Sequence, residues 1–173
     1  VMRLTKNSDA EENEDLSPDG KKVAFVRNFN LFVVDIATQT ETALTTDGNA
    51  KLFNGKLDWV YQEEVYGRGD FKSYWWSPDS RYIAFLRLDQ ANVPKFTIVD
   101  DIPTDQRLEV ENYPQAGDPN PTVKLGIADV GKTAILPNAA RIPKIGERLP
   151  SSIVRLGDAV KFADLSAYRP EDL

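Results

Sequence analysis

The run Asp58-Trp-Val-Tyr-Gln-Glu-Glu-Val65 sets two carboxylates, Glu63 and Glu64, side by side behind an aromatic cluster, with no Lys or Arg inside it. Two neighbouring anions repel, and a partly buried pair calls for a cation. A ligand ammonium suits the task, because it is a compact charge with three donors and each carboxylate can accept one of them. Each such charge-assisted bond contributes roughly 1.5–3 kcal/mol. The plainer alternative is a solvated acidic patch on a surface helix. The flanking Trp59, Tyr61, Val65 and Tyr66 favour partial burial and keep the binding reading open.

Composition excludes several other chemistries. The chain of 173 residues has no His and no Cys. Ser-His-Asp and Cys-His nucleophilic sites, H-E-x-x-H and thiolate zinc sites and disulfides cannot be assembled within it, and a G-x-S-x-G elbow is absent. Neither a metal nor a cofactor is implied. A hydrophobic content of 41% with 28% charged residues is that of an ordinary globular protein. The net charge of -6 argues against a nucleic-acid face, which needs an excess of Lys and Arg. No apolar run reaches the roughly 18 residues of a membrane span. Residues 1–15 lack the apolar stretch of a secretory signal and read as an acidic, disordered leader.

The glutamates need a local structure that lets them act together. On a strand, adjacent side chains point to opposite sides; on a helix, neighbours lie about 100° apart and both lean toward one cavity. Asp58 is placed to cap a short helix by accepting an early N–H, and Gly67 stands where a left-handed residue would end it. A helical turn over WVYQEEVY is therefore expected.

A repeat organises the rest. LSPDGKKVAFVR (16–27) and WSPDSRYIAFLR (76–87) match at a constant offset, with Ser-Pro-Asp followed by Val23/Ile83, Ala24/Ala84, Phe25/Phe85, Val26/Leu86 and Arg27/Arg87. Each copy reads as a turn followed by a strand, and VAFV is apolar on both faces, as in a strand covered on both sides. LFVVDI (31–36), reached through Asn28-Phe29-Asn30, and ETALT (41–45) read as further strands of the first copy. KFTIVDD (95–101) is expected to play the LFVVDI role in the second. Short antiparallel strands in repeated units point to an all-β fold, part of a β-propeller with about two blades. A β-sandwich explains the short strands but not the repeat. Repeat insertions map to loops on one face, often the binding face. The insertion here is 49–72, and it carries the glutamate pair. The expected organisation is a leader at 1–15, propeller blades over 16–130 and a Pro-rich connection toward a next blade over 131–173, where IVRLG and VKFAD are candidate strands.

DWVYQEEV closely resembles the double-glutamate motif of the dipeptidyl peptidase IV family, within the prolyl oligopeptidase group of serine peptidases. The similarity continues through YWWSPDSRYIAFLRLDQANVPKFTIVD and YPQAGDPNPTVKLGIADV (113–130), and covers Leu16 to Val130. In that family a β-propeller caps an α/β-hydrolase domain, and the motif glutamates hold the free N-terminal amine of a peptide from which a dipeptide is released, often after Pro or Ala. The resemblance implies that Glu63 and Glu64 are the amine clamp and that peptides with a free N-terminus are the substrates. It also implies a C-terminal α/β-hydrolase domain as partner. The enzyme class points to a periplasmic, secreted or membrane-anchored setting. Only a peptide whose amine lies one dipeptide from the scissile bond satisfies both ends of such a site.

Two departures stand out. Gln62 occupies a position where many members carry a third acidic residue, and the family's substrate-contacting arginine has no counterpart, since Arg3 lacks any surrounding motif. Without a catalytic domain the chain is expected to be inactive alone and to self-associate through uncovered blade edges. The rival reading is a non-catalytic propeller module that binds a protein partner. Arg68-Gly69-Asp70 reads as a chance tripeptide, and Trp75 and Trp76 as blade-packing residues.

Overall fold

The computed structural model describes residues 2–66 and 70–131 and the backbone of 160–164. Four antiparallel strands form the first sheet in chain order: β1 (Glu12–Leu16), β2 (Lys22–Arg27), β3 (Asn30–Asp35) and β4 (Glu41–Ala43). The second sheet is centred on β7 (Tyr82–Asp89), which pairs with β10 (Thr122–Asp129), itself paired with β11 (Val160–Asp164). Along its other side β7 carries two short strands end to end, β5 (Leu52–Asn54) against Arg87–Asp89 and β6 (Tyr74–Trp76) against Ile83–Phe85. The first-strand position of the second sheet is thus split, and the glutamate-bearing excursion leaves through the gap. A separate hairpin, β8 (Lys95–Asp100) with β9 (Arg107–Asn112), projects between β7 and β10.

The repeated Ser-Pro-Asp segments fold alike bond for bond. In each, the Ser Oγ donates to the Asp carboxylate, at 2.7 Å for Ser17–Asp19 and 2.6 Å for Ser77–Asp79. The same carboxylate accepts the N–H two residues on, from Lys21 and Arg81, both at 3.1 Å. The serine bond, then that backbone bond, holds both aspartates below the usual carboxylate range. Each turn needs a positive φ at its fourth residue, Gly20 (71°) and Ser80 (59°). The two turns also touch, since the Asp19 N–H donates to Ser80 Oγ at 3.1 Å.

The two sheets share one core. Ala24, Val26, Leu31 and Val33 of the first pack with Tyr74, Ile83, Phe85 and Ala128 of the second. Fully burying a large apolar side chain contributes about 1.5–3 kcal/mol, so this seam is the main bond between the sheets. Tyr74 crosses it: its hydroxyl reaches the Ala24 carbonyl at 3.0 Å and lies against the Asn13 carbonyl. Burial, then the charges of Asp15 and Glu14, pushes that hydroxyl far above its ordinary range, so it stays protonated. Arg27 is buried between Glu41 and Glu11 with its guanidinium 4.3 Å from the Phe32 ring centre, and its repeat partner Arg87 pairs with Asp47 at 2.5 Å. Two stacked antiparallel sheets of this kind are adjacent blades of a β-propeller, and the expected fold class holds.

Several details differ from the sequence reading. The strand that answers LFVVDI in the second sheet is β10, in unbroken register from Thr122–Asp89 to Asp129–Tyr82. KFTIVDD instead supplies β8, whose six residues are all exposed. Its β-branched run makes a strand under any pairing, and the run alone does not say which partner it takes. The stretch read as a disordered leader contains most of β1, held by pairs such as Asp15–Ala24. The expected insertion 49–72 includes β5, so the excursion proper begins at Gly55. Trp76 packs against the core, whereas Trp75 is 41% exposed and does not. VKFAD forms β11, while IVRLG, Gly67 and the first two residues of the tripeptide, Arg68 and Gly69, lie outside the described residues.

Candidate functional site

The excursion is closed by a short antiparallel stem. Lys56 bridges Lys72, the Leu57 N–H donates to the Phe71 carbonyl at 2.8 Å, and the Ser73 N–H donates to the Gly55 carbonyl at 3.0 Å. Gly55 starts the stem at φ 76°, pressed against Leu31, Tyr74 and Val26. A side chain there would meet both a strained backbone and a full seam. Both stem lysines reach back to the first sheet, Lys72 to Asp15 at 2.8 Å and Lys56 to Glu12. The base of the glutamate loop is therefore tied to β1, a link that was not legible in the sequence.

Within the loop, Leu57 is buried and packs with Leu86, Leu88 and Val123, and Tyr61 rests against the same cluster. Asp58 caps the turn as expected: its Oδ1 accepts the Tyr61 N–H at 3.1 Å and its carbonyl accepts the Gln62 N–H at 3.0 Å. Asp58 is 2% exposed, and its Oδ2 has no hydrogen-bond partner among the described residues. Burial raises this carboxyl above the usual range, against the lowering effect of the Tyr61 N–H.

From Tyr61 to Val65 the turn widens into a π-helix, closed by the Tyr66 N–H donating to the Tyr61 carbonyl at 2.9 Å. Single wide turns of this type occur often at functional sites. The helical expectation is met with a broader geometry than an α-helix. Glu63 is half-buried and Glu64 exposed, while Gln62 between the cap and the pair is buried. A neutral amide at position 62 avoids placing a third charge in the wall of the loop. Trp59, one residue past the cap, lies 4.5 Å from Tyr113, measured between ring centres. Tyr113 ends the hairpin, where its N–H donates to the Pro94 carbonyl at 2.9 Å. Sequence reasoning found the cap, but not the unpartnered Asp58 oxygen, the stem lysines or the Trp59–Tyr113 contact. Arg3 donates to the Asn7 carbonyl at 3.0 Å, within its own segment. No group of three or more potential metal ligands occurs among the described residues.

The family profile described as Dipeptidyl peptidase IV (DPP IV) N-terminal region matches residues 1–150. The chain is 34% identical to dipeptidyl aminopeptidase B of Saccharomyces cerevisiae over 160 residues, which cover 87% of this chain and 19% of the yeast protein. It is 37% identical to dipeptidyl-aminopeptidase B of Aspergillus niger over 134 residues, covering 69% of this chain and 14% of that one. The crystal structure of Porphyromonas gingivalis dipeptidyl peptidase 4 superposes with a TM-score of 0.66 at 34% identity, over 78% of this chain and 20% of the other. The chain spans about a fifth or less of the length of these relatives. A repeated pair of blades, a loop carrying two adjacent glutamates and these matches agree: the chain belongs to the dipeptidyl peptidase IV family, as part of its N-terminal β-propeller region.

Proposed function

We propose that this chain is the substrate-gating β-propeller portion of a dipeptidyl peptidase IV-like serine exopeptidase, in which Glu63 and Glu64 bind the free N-terminal amine of peptide substrates. The observation that carries this reading is the placement of two adjacent carboxylates on a single widened turn, one half-buried and one exposed. The turn is held at its start by the Asp58 cap and at its base by the stem. Fixed in this way, the pair offers a preorganised acceptor for one ammonium and measures substrate length from it. The serine, aspartate and histidine of the chemistry belong to a C-terminal α/β-hydrolase domain, since this chain has no His.

In the full-length peptidase, Glu63→Ala and Glu64→Ala should each lower kcat/KM on Ala-Pro and Gly-Pro substrates. The loss of one or both charge-assisted bonds corresponds to roughly 10- to 10⁴-fold. If either variant kept wild-type efficiency, that glutamate would not belong to the clamp. A second reading, a protein-binding propeller module, is favoured by one feature: the hairpin presents Val99, Leu108 and Val110 to solvent, with Ile102 at its tip.

A further inference from the structure

Beneath the hairpin lies a cleft of about 1020 Å³ whose walls are aromatic and acidic. Among the described residues, its lining includes neither Glu63 nor Glu64. One wall is a chain of rings, Trp59 to Tyr113 at 4.5 Å and Tyr113 to Phe96 at 5.7 Å between centres. Phe29 and Phe53, stacked at 5.0 Å, also belong to the lining. Glu109 and Glu111 enter from β9, two residues apart and hence on one face of the strand. Phe96 is the direct cross-strand partner of Glu111, so ring and carboxylate sit side by side. Asp58, which is buried, also belongs to the lining. The single basic residue in the lining, Lys56, is already paired with Glu12.

This combination has a chemical preference. Flat aromatic faces beside carboxylates attract a guanidinium, which stacks on rings and donates to carboxylate oxygens at once. Glu109 and Glu111 against one engaged lysine leave the cleft electronegative. Glu109 and Glu111 are exposed, so a ligand can reach them without rearrangement. We infer that the cleft under the β8–β9 hairpin is a second cation site, separate from the glutamate pair, that takes an arginine side chain of a bound peptide.

The test uses the full-length peptidase and a short arginine peptide that is acetylated at its N-terminus and amidated at its C-terminus. Capping removes the amine that Glu63 and Glu64 would hold, so failure here and failure of the amine clamp are distinguishable. Binding is followed by calorimetry and by tryptophan fluorescence, to which Trp59 contributes. The expected result is saturable binding that weakens by at least about tenfold when citrulline replaces arginine, or when Glu109→Gln and Glu111→Gln are combined. Glu63→Gln with Glu64→Gln should leave this binding unchanged. Equal binding of the arginine and citrulline peptides, wild-type binding by the β9 double variant, or loss of binding in the Glu63/Glu64 variant would each overturn the proposal, as would no saturable binding at all.

Discussion

Asp58 sits in an environment unfavourable to its own charge. Burial raises its carboxyl above the ordinary range, so the folded chain holds this proton more firmly than the unfolded one. By linkage, Asp58 alone makes stability fall as pH rises from the ordinary carboxyl value through the raised one. Asp58→Asn keeps an acceptor for the Tyr61 N–H and has no charge to desolvate. It should be at least as stable as the wild type at pH 7, and should remove this falling contribution from the pH profile. Asp58→Ala loses the cap and should be less stable by about 1 kcal/mol. Denaturant unfolding at pH 4 and pH 7 checks both, and a strongly destabilised Asn variant at pH 7 would mean that the charge itself holds the turn. The capping role was legible because Asp before an apolar helical run is a local signal. The unpartnered oxygen was not, because it depends on what the fold packs around it.

At the level of elements, the glutamate turn is only as fixed as its stem. The ion pairs of Lys56 with Glu12 and Lys72 with Asp15 are partly exposed, and such pairs contribute about 0.2–1 kcal/mol each. Combining Lys56→Met with Lys72→Met should therefore change global stability little. It should speed amide hydrogen exchange at Leu57 and Ser73 while leaving the β7–β10 ladder protected. Equal protection in variant and wild type would show that the hydrogen-bonded stem holds without the lysines. Sequence periodicity found β2, β3 and β7 because VAFV and IAFL recur with the same turn chemistry. It missed β1, whose ENEDL reads as solvated charge until Lys56 and Lys72, distant in sequence, are seen beside it. It also assigned β8 to the blade, since a strand's partner is set by tertiary pairing and not by its own residues.

At the scale of the whole chain, the two described blades, taken alone, leave edges and faces that a closed propeller would cover. The exposed Val99, Leu108 and Val110 of the hairpin add an apolar face. A net charge of -6 is too small to cancel a specific pairing of like edges. The chain is expected to self-associate, and light scattering over a wide concentration range should show a dimer or larger assembly; a folded monomer at high concentration would contradict it. The all-β repeat architecture was legible at this scale because the two Ser-Pro-Asp turns form the same bonds twice. The excursion through a split strand was not, because pairing across that gap is set by contacts with β7. The central claim concerns the substrate amine, and it is tested most directly by a cycle in the full-length peptidase. Wild type and a Glu63→Gln, Glu64→Gln variant are compared on a free-amine dipeptidyl substrate and on its desamino analogue. The wild type should prefer the amine by roughly 10²- to 10⁴-fold in kcat/KM, and the variant should lose most of that preference. An undiminished preference in the variant would show that the amine is held elsewhere.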